Sequence, residues 1–73
     1  MSVKIIAGFW AGKYELPEAL ELRDGASISE ALAALAVPTR EIGLASVNGA
    51  ARTRDFKLSG GDSLEIFPVI IDG

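Results

Sequence analysis

At 73 residues the chain has room for one small domain, and a chain this short buries only about 60% of its unfolded surface. Apolar residues make up 49% and aromatics only 7%, so branched aliphatics and alanine must build the core. Cys and His are both absent and the formal net charge is −3, which excludes disulfides, thiolate nucleophiles, Cys or His metal sites and a catalytic imidazole, and argues against nucleic acid as a target.

The chain opens on a strand-like run, Val3 to Trp10. Val3, Ile5, Ala7 and Phe9 share one face, and Lys4, Ile6, Gly8 and Trp10 the other. Both faces are mostly apolar, which places this strand inside a sheet rather than at its edge. After a turn at Ala11-Gly12-Lys13, residues Tyr14 to Arg23 carry a second strand, with Leu20 and Leu22 on one face. Pro17 near its start suits an edge strand, and Asp24-Gly25 closes it.

A helix follows over roughly 28–36. Ser27 stands three residues before Glu30, the spacing of a reciprocal N-terminal cap. Ile28, Ala31, Leu32 and Leu35 form its apolar stripe, and Pro38 is expected to stop it. So short a helix cannot persist alone and must lie on a sheet. Beyond a connector at Thr39 to Gly43, Leu44 to Val47 reads as a brief strand. It ends at Asn48-Gly49, a pair suited to a tight hairpin because both residues tolerate positive φ. Residues Ala51 to Lys57 read as polar and irregular. Gly60-Gly61-Asp62 is a turn, and Ser63 to Ile71 is the last strand, with Leu64 and Ile66 on one face and Glu65 and Phe67 on the other. One helix on a sheet of four or five strands makes a two-layer α+β domain spanning 1–73.

Several motifs fail on chemistry. Gly8-Phe9-Trp10-Ala11-Gly12-Lys13 approximates a phosphate-binding loop, but it is one residue short. Tyr14 also replaces the required Ser or Thr, and a strand rather than a helix follows. Glu18 and Glu21 read as a solvated face rather than a paired-carboxylate site, and the serines have no imidazole to activate them. No apolar run approaches the ~18 residues of a membrane span. The start goes directly into a strand pattern without a leader, so a soluble cytoplasmic protein is expected. The chain therefore reads as a carrier, substrate or binding partner rather than an enzyme, with no cofactor or metal of its own.

The C-terminal third is more specific. Val47-Asn48-Gly49, the Gly61-Asp62 turn, Phe67-Pro68 and a terminal glycine, in this order and spacing, resemble the MoaD/ThiS family of sulfur carriers. The likeness covers essentially the whole chain. It implies a ubiquitin-like β-grasp fold with a C-terminal tail at about 69–73. It also implies a working group that is the carboxylate of Gly73. In that family an activating adenylyltransferase uses ATP to adenylate the terminal carboxylate. Sulfur then replaces oxygen to give a thiocarboxylate, which a biosynthetic enzyme consumes in molybdopterin- or thiamine-type cofactor synthesis. Glycine suits the role because a residue without Cβ can thread a narrow crevice in unusual backbone conformations.

One residue departs from the pattern. The family ends Gly-Gly and this chain ends Asp72-Gly73, setting a second carboxylate beside the one to be activated. At intermediate dielectric that costs on the order of 1 kcal/mol or more. A complementary cation on the activating enzyme, a natural chain that continues past Gly73, and loss of carrier activity are all compatible with Asp72. A partner surface is expected at Ile6, Phe67, Pro68 and Asp72, with Trp10 nearby, on the side of the sheet away from Leu64 and Ile66. The protein is expected as a monomer or weak dimer. Two other roles share the same sequence features: a β-grasp adaptor whose tail is never activated, and a protein modifier joined to lysines through Gly73.

Overall fold

The computed structural model describes residues 1–6 and 16–69. Within them the elements are β1 (Ser2–Ile6), β2 (Ala19–Glu21), α1 (Ile28–Leu35), a 3-10 turn (Thr39–Glu41), β3 (Ile42–Val47), β4 (Ala50–Arg52) and β5 (Ser63–Pro68). The sheet order is β2-β1-β5-β3-β4. β1 runs parallel to β5, while β1/β2, β3/β5 and β3/β4 are antiparallel. A five-stranded mixed sheet carrying one helix is the expected β-grasp architecture. β1 is an inner strand and β2 an edge strand, as the apolar pattern and Pro17 require.

The face reading holds where alternation is clean. Val3, Ile5, Leu64 and Ile66 point inward and are buried together with Ile28, Ala31 and Leu32 of the helix. Leu20, Leu22 and Leu35 are half-buried and pack against this cluster. Two contributors come from irregular segments: Val37 after the helix and Leu58 before β5. Burial of each such aliphatic side chain stabilises by roughly 1.5–3 kcal/mol.

The helix start is built as its sequence spacing predicts. Ser27 adopts an extended conformation, and its hydroxyl accepts the Glu30 N–H at 3.3 Å. The two earlier donors are satisfied from afar: Ile28 N–H donates to Phe56 C=O at 3.0 Å and Ser29 N–H to Arg54 C=O at 2.9 Å. The loop after β4 thus completes the cap that one side chain cannot supply. Arg23 donates to the Glu30 carboxylate. That hydrogen bond is the main reason the carboxylate is held below its ordinary pKa, with the Ser27 backbone N–H among the smaller causes.

The structure corrects several boundaries. The helix ends at Leu35 because Ala36 turns into the left-handed region at φ 58, its N–H bonding to Ala33 C=O; Pro38 lies two residues beyond this stop. The second strand is limited to Ala19–Glu21, and β3 starts two residues earlier than expected, at Ile42. Ala51 and Arg52, expected as irregular chain, instead form β4 together with Ala50 by pairing with Ala45–Val47. The last strand ends at Pro68. The expected continuation of the first strand to Trp10 lies outside the described residues, as do Ile70 and Ile71.

Candidate functional site

β5 lies between β1 and β3, so the chain leaves the sheet from its middle. Both of its neighbours help fix the point of departure. Pro68 pairs with Ile42 across a β-bulge that contains Gly43. The Val69 N–H donates to Glu41 C=O at 2.9 Å. A Cβ on Gly43 would lie 3.0 Å from the Pro68 carbonyl oxygen and 3.2 Å from the Val69 Cα, so the close approach needs glycine. The root of the tail is therefore held by backbone contacts from residues 41–43, which the sequence alone presents as a plain connector. Gly73 and Asp72, the expected acceptor and its neighbour, lie outside the described residues.

The expected partner residues converge in part. Ile6 of β1 and Phe67 of β5 lie on the helix-free face, and both are half-buried. Pro68 follows at the strand end, also half-buried. Leu44 sits across from Phe67 on the same face and is 48% exposed, while Val69 is 44% exposed. Leu44 was legible as a strand residue but not as part of this face, because the bulge at Gly43 resets the alternation of β3. Lys4 and Glu65 share the face, so the apolar surface is interrupted by charge. Trp10, and the residues of the near-phosphate-loop at 8–13, lie outside the described residues.

The Asn48-Gly49 and Gly61-Asp62 motifs form one structural clasp. Asn48 and Gly49 both take positive φ, at 53 and 86, as a hairpin turn of this kind requires. Asn48 Nδ2 donates to Asp62 Oδ1 at 3.0 Å, and Asn48 Oδ1 accepts the Ser63 N–H at 2.9 Å. Asp62 Oδ2 accepts the Ser59 N–H at 2.8 Å. The carboxylate is spent on backbone and amide donors within the fold, which explains the paired motifs without catalysis.

Besides Glu30, Asp55 is lowered, chiefly because the Thr53 hydroxyl donates to its carboxylate. Among the described residues, no group of His, Cys, Asp and Glu is arranged to hold a metal ion, and no helix is long and apolar enough to cross a membrane.

Fold and site together define a ubiquitin-like protein whose last strand runs in the middle of the sheet and ends beside a partly apolar sheet face. The chain belongs to the Mut7-C ubiquitin family, whose model matches residues 15–72. The ubiquitin-like part of the sequence resemblance therefore stands, with Mut7-C ubiquitin as the matched family and MoaD and ThiS not distinguished. Among solved structures, the chain is similar to SAMP1 from Haloferax volcanii, with a TM-score of 0.67 and 24% identity, covering 100% of this chain and 98% of that one. It is also similar to a thiamine biosynthesis protein from Geobacter metallireducens, with a TM-score of 0.60 and 22% identity, covering 100% of this chain and 88% of that one. At these identities the two likenesses establish the fold. No curated protein matches the sequence significantly.

Proposed function

We propose that this protein is a sulfur carrier whose working group is the Gly73 carboxylate. The observation that carries the reading is the route of β5. The central strand ends at a root fixed by Gly43 and by the Val69–Glu41 hydrogen bond, and that root adjoins the face formed by Ile6, Leu44 and Phe67. Membership of a ubiquitin-like family and likeness to a protein named for thiamine biosynthesis support it.

In the proposed sequence the Gly73 carboxylate attacks the α-phosphorus of ATP on a partner adenylyltransferase. This forms an acyl adenylate and releases pyrophosphate. Hydrosulfide supplied by a donor then attacks the acyl carbon and displaces AMP, leaving after loss of its proton a thiocarboxylate for a sulfur-accepting biosynthetic enzyme of molybdopterin or thiamine type. The partner supplies ATP and magnesium, so a chain without Cys or His suffices. Ile6, Phe67 and Pro68 would meet the activating enzyme, and Asp72 would face a cation there.

Incubation with an adenylyltransferase that activates ubiquitin-like carriers, ATP and a sulfur source tests this. The intact mass should rise by one oxygen-to-sulfur exchange, and deletion of Gly73 should abolish the change. An unchanged mass, with an enzyme shown to load another carrier, would sink the proposal. Lysine-linked conjugates ending in Gly73 would assign the same activated terminus to protein modification instead.

A further inference from the structure

One short segment leads into β3 and also bears the root at Pro68 and Val69. The Glu41 C=O accepts the Val69 N–H at 2.9 Å, and Ile42 pairs with Pro68 beside the Gly43 bulge. Local structure alone holds this segment weakly. It follows Ala36, which sits at positive φ, and its one turn is the 3-10 turn Thr39–Glu41. That turn is closed by Glu41 N–H donating to Pro38 C=O at 3.0 Å and by Ile42 N–H donating to Thr39 C=O. Both bonds close the turn on itself and do not fix it against the rest of the fold. The bulge between Ile42 and Leu44 also interrupts the ladder just where the segment enters the sheet.

Arg54 supplies a support from outside. Its Nη2 donates to the Ile42 C=O at 3.1 Å and to the Thr39 C=O at 3.4 Å. Nη2 carries two N–H groups, one for each carbonyl. A cation at the end of a helical turn also suits the negative end of its peptide dipoles. The main chain of Arg54 is anchored elsewhere. Its C=O accepts the Ser29 N–H at 2.9 Å, and the Phe56 C=O accepts the Ile28 N–H at 3.0 Å. Leu58 N–H then donates to Ala26 C=O at 2.8 Å. The backbone of Arg54 thus belongs to the helix start, and its side chain belongs to the segment that bears the root.

We propose that Arg54 is a positioning residue for the root. It ties residues 39–42 to the start of α1, and through Glu41 and Ile42 it sets where Pro68 and Val69 lie for the activating enzyme. Hydrogen bonds with a charged donor are stronger than neutral ones, so one side chain can hold the segment where its own turn does not. The effect on loading rests on the carrier role proposed above, whereas the effect on Val69 follows from the fold alone. Truncation of the side chain leaves the Ser29–Arg54 bond in place, because that bond joins backbone atoms. It therefore separates support of the root from capping of the helix.

Amide hydrogen exchange of the isotope-labelled full chain, followed by NMR, is compared for the wild type, R54A and R54K. In R54A the Val69 and Ile42 amides should exchange about tenfold faster, as expected for loss of a charge-assisted hydrogen bond. Ser29 and Ser63 should keep their protection. R54K keeps the charge without the planar guanidinium and should lie between R54A and the wild type. With an adenylyltransferase that loads the wild-type chain, kcat/KM should fall about tenfold in R54A. The loss should lie in kcat more than in KM, because the carboxylate is bound but misaligned, and R54K should recover part of it. Unchanged Val69 exchange in R54A, or equal quickening at Ser29, Ser63 and Val69, overturns the proposal. Equal kcat for R54A and the wild type, despite faster Val69 exchange, overturns the link to loading. A wild-type chain that no such enzyme loads removes the carrier role, and the exchange rates still decide whether Arg54 holds the root.

Discussion

The two ends of the β3/β5 pair are built differently. At one end the Asn48 and Asp62 side chains bridge two turns and bind the backbone of Ser59 and Ser63. At the other, a bulge at Gly43 brings backbone against backbone, and the Val69 N–H donates to Glu41 C=O. Side chains close the first end, whereas the approach of Pro68 to β3 at the second depends on the absence of a Cβ at Gly43. The contrast teaches where this small fold fixes its register and where it leaves room. The clasp sets β3 against β5, and the far end holds the root at Pro68 and Val69 by close backbone approach.

The largest expected effect removes what both ends share. Ile66 is fully buried between them, so Ile66→Ala should destabilise by about 2–5 kcal/mol in urea unfolding and weaken both ends together. Asp62→Ala strikes the clasp alone. It removes two exposed hydrogen bonds to a carboxylate, from the Asn48 amide and the Ser59 N–H, whose donors turn to water, at a cost of about 1–2 kcal/mol. Amide exchange should quicken at Ser59 and Ser63 while Val69 stays protected. Equal loss of protection at Val69 would show that the two ends are not independent.

Gly43→Ala strikes the opposite end. Its Cβ must push the Pro68 carbonyl by a few tenths of an ångström, a change of overpacking type worth about 1–2 kcal/mol. Val69 protection should be lost while Ser63 keeps its own, and loading of Gly73 should fall more than stability accounts for. Ala36→Gly, remote from both ends, should raise stability by about 1 kcal/mol because Ala36 sits at positive φ, without altering exchange at either.

The smallest effect concerns pH. Arg23 holds the Glu30 carboxylate below its ordinary range, so its folded-state pKa is lower than its unfolded one. Its stabilisation is present above the ordinary carboxylate pKa and is lost as pH falls through the lowered value. Acid unfolding of Glu30→Gln should be correspondingly less steep, with both ends of β3/β5 unaffected at neutral pH. A slope identical to that of the unmodified chain would remove Glu30 from the acid response.

Much of the fold was legible because its signals are local. Ser27 and Glu30 are three residues apart, and Asn48-Gly49 makes its turn with its own two φ angles. The inward faces of β1 and β5 follow from alternation in Val3, Ile5, Leu64 and Ile66. The helix stop was misplaced because Pro38 is a visible breaker, whereas an alanine at positive φ gives no compositional sign. β4 was missed for a related reason. Ala50–Arg52 is fully exposed, so it carries no burial pattern, and only pairing with β3 makes it a strand.

For the site, the balance shifts further toward tertiary structure. The sequence by itself determined that the chain has no reactive thiol or imidazole, that a central strand precedes its C-terminal residues, and that Ile6 and Phe67 face away from the core. Those properties depend on residue identity and a two-residue period. Only the tertiary structure decided that Gly43 lies against Pro68, that Asn48 and Asp62 share one clasp, and that the Arg54 guanidinium reaches the Ile42 carbonyl. Each is a meeting of segments more than ten residues apart, and the spacing along a chain says nothing about which distant backbone will arrive beside it.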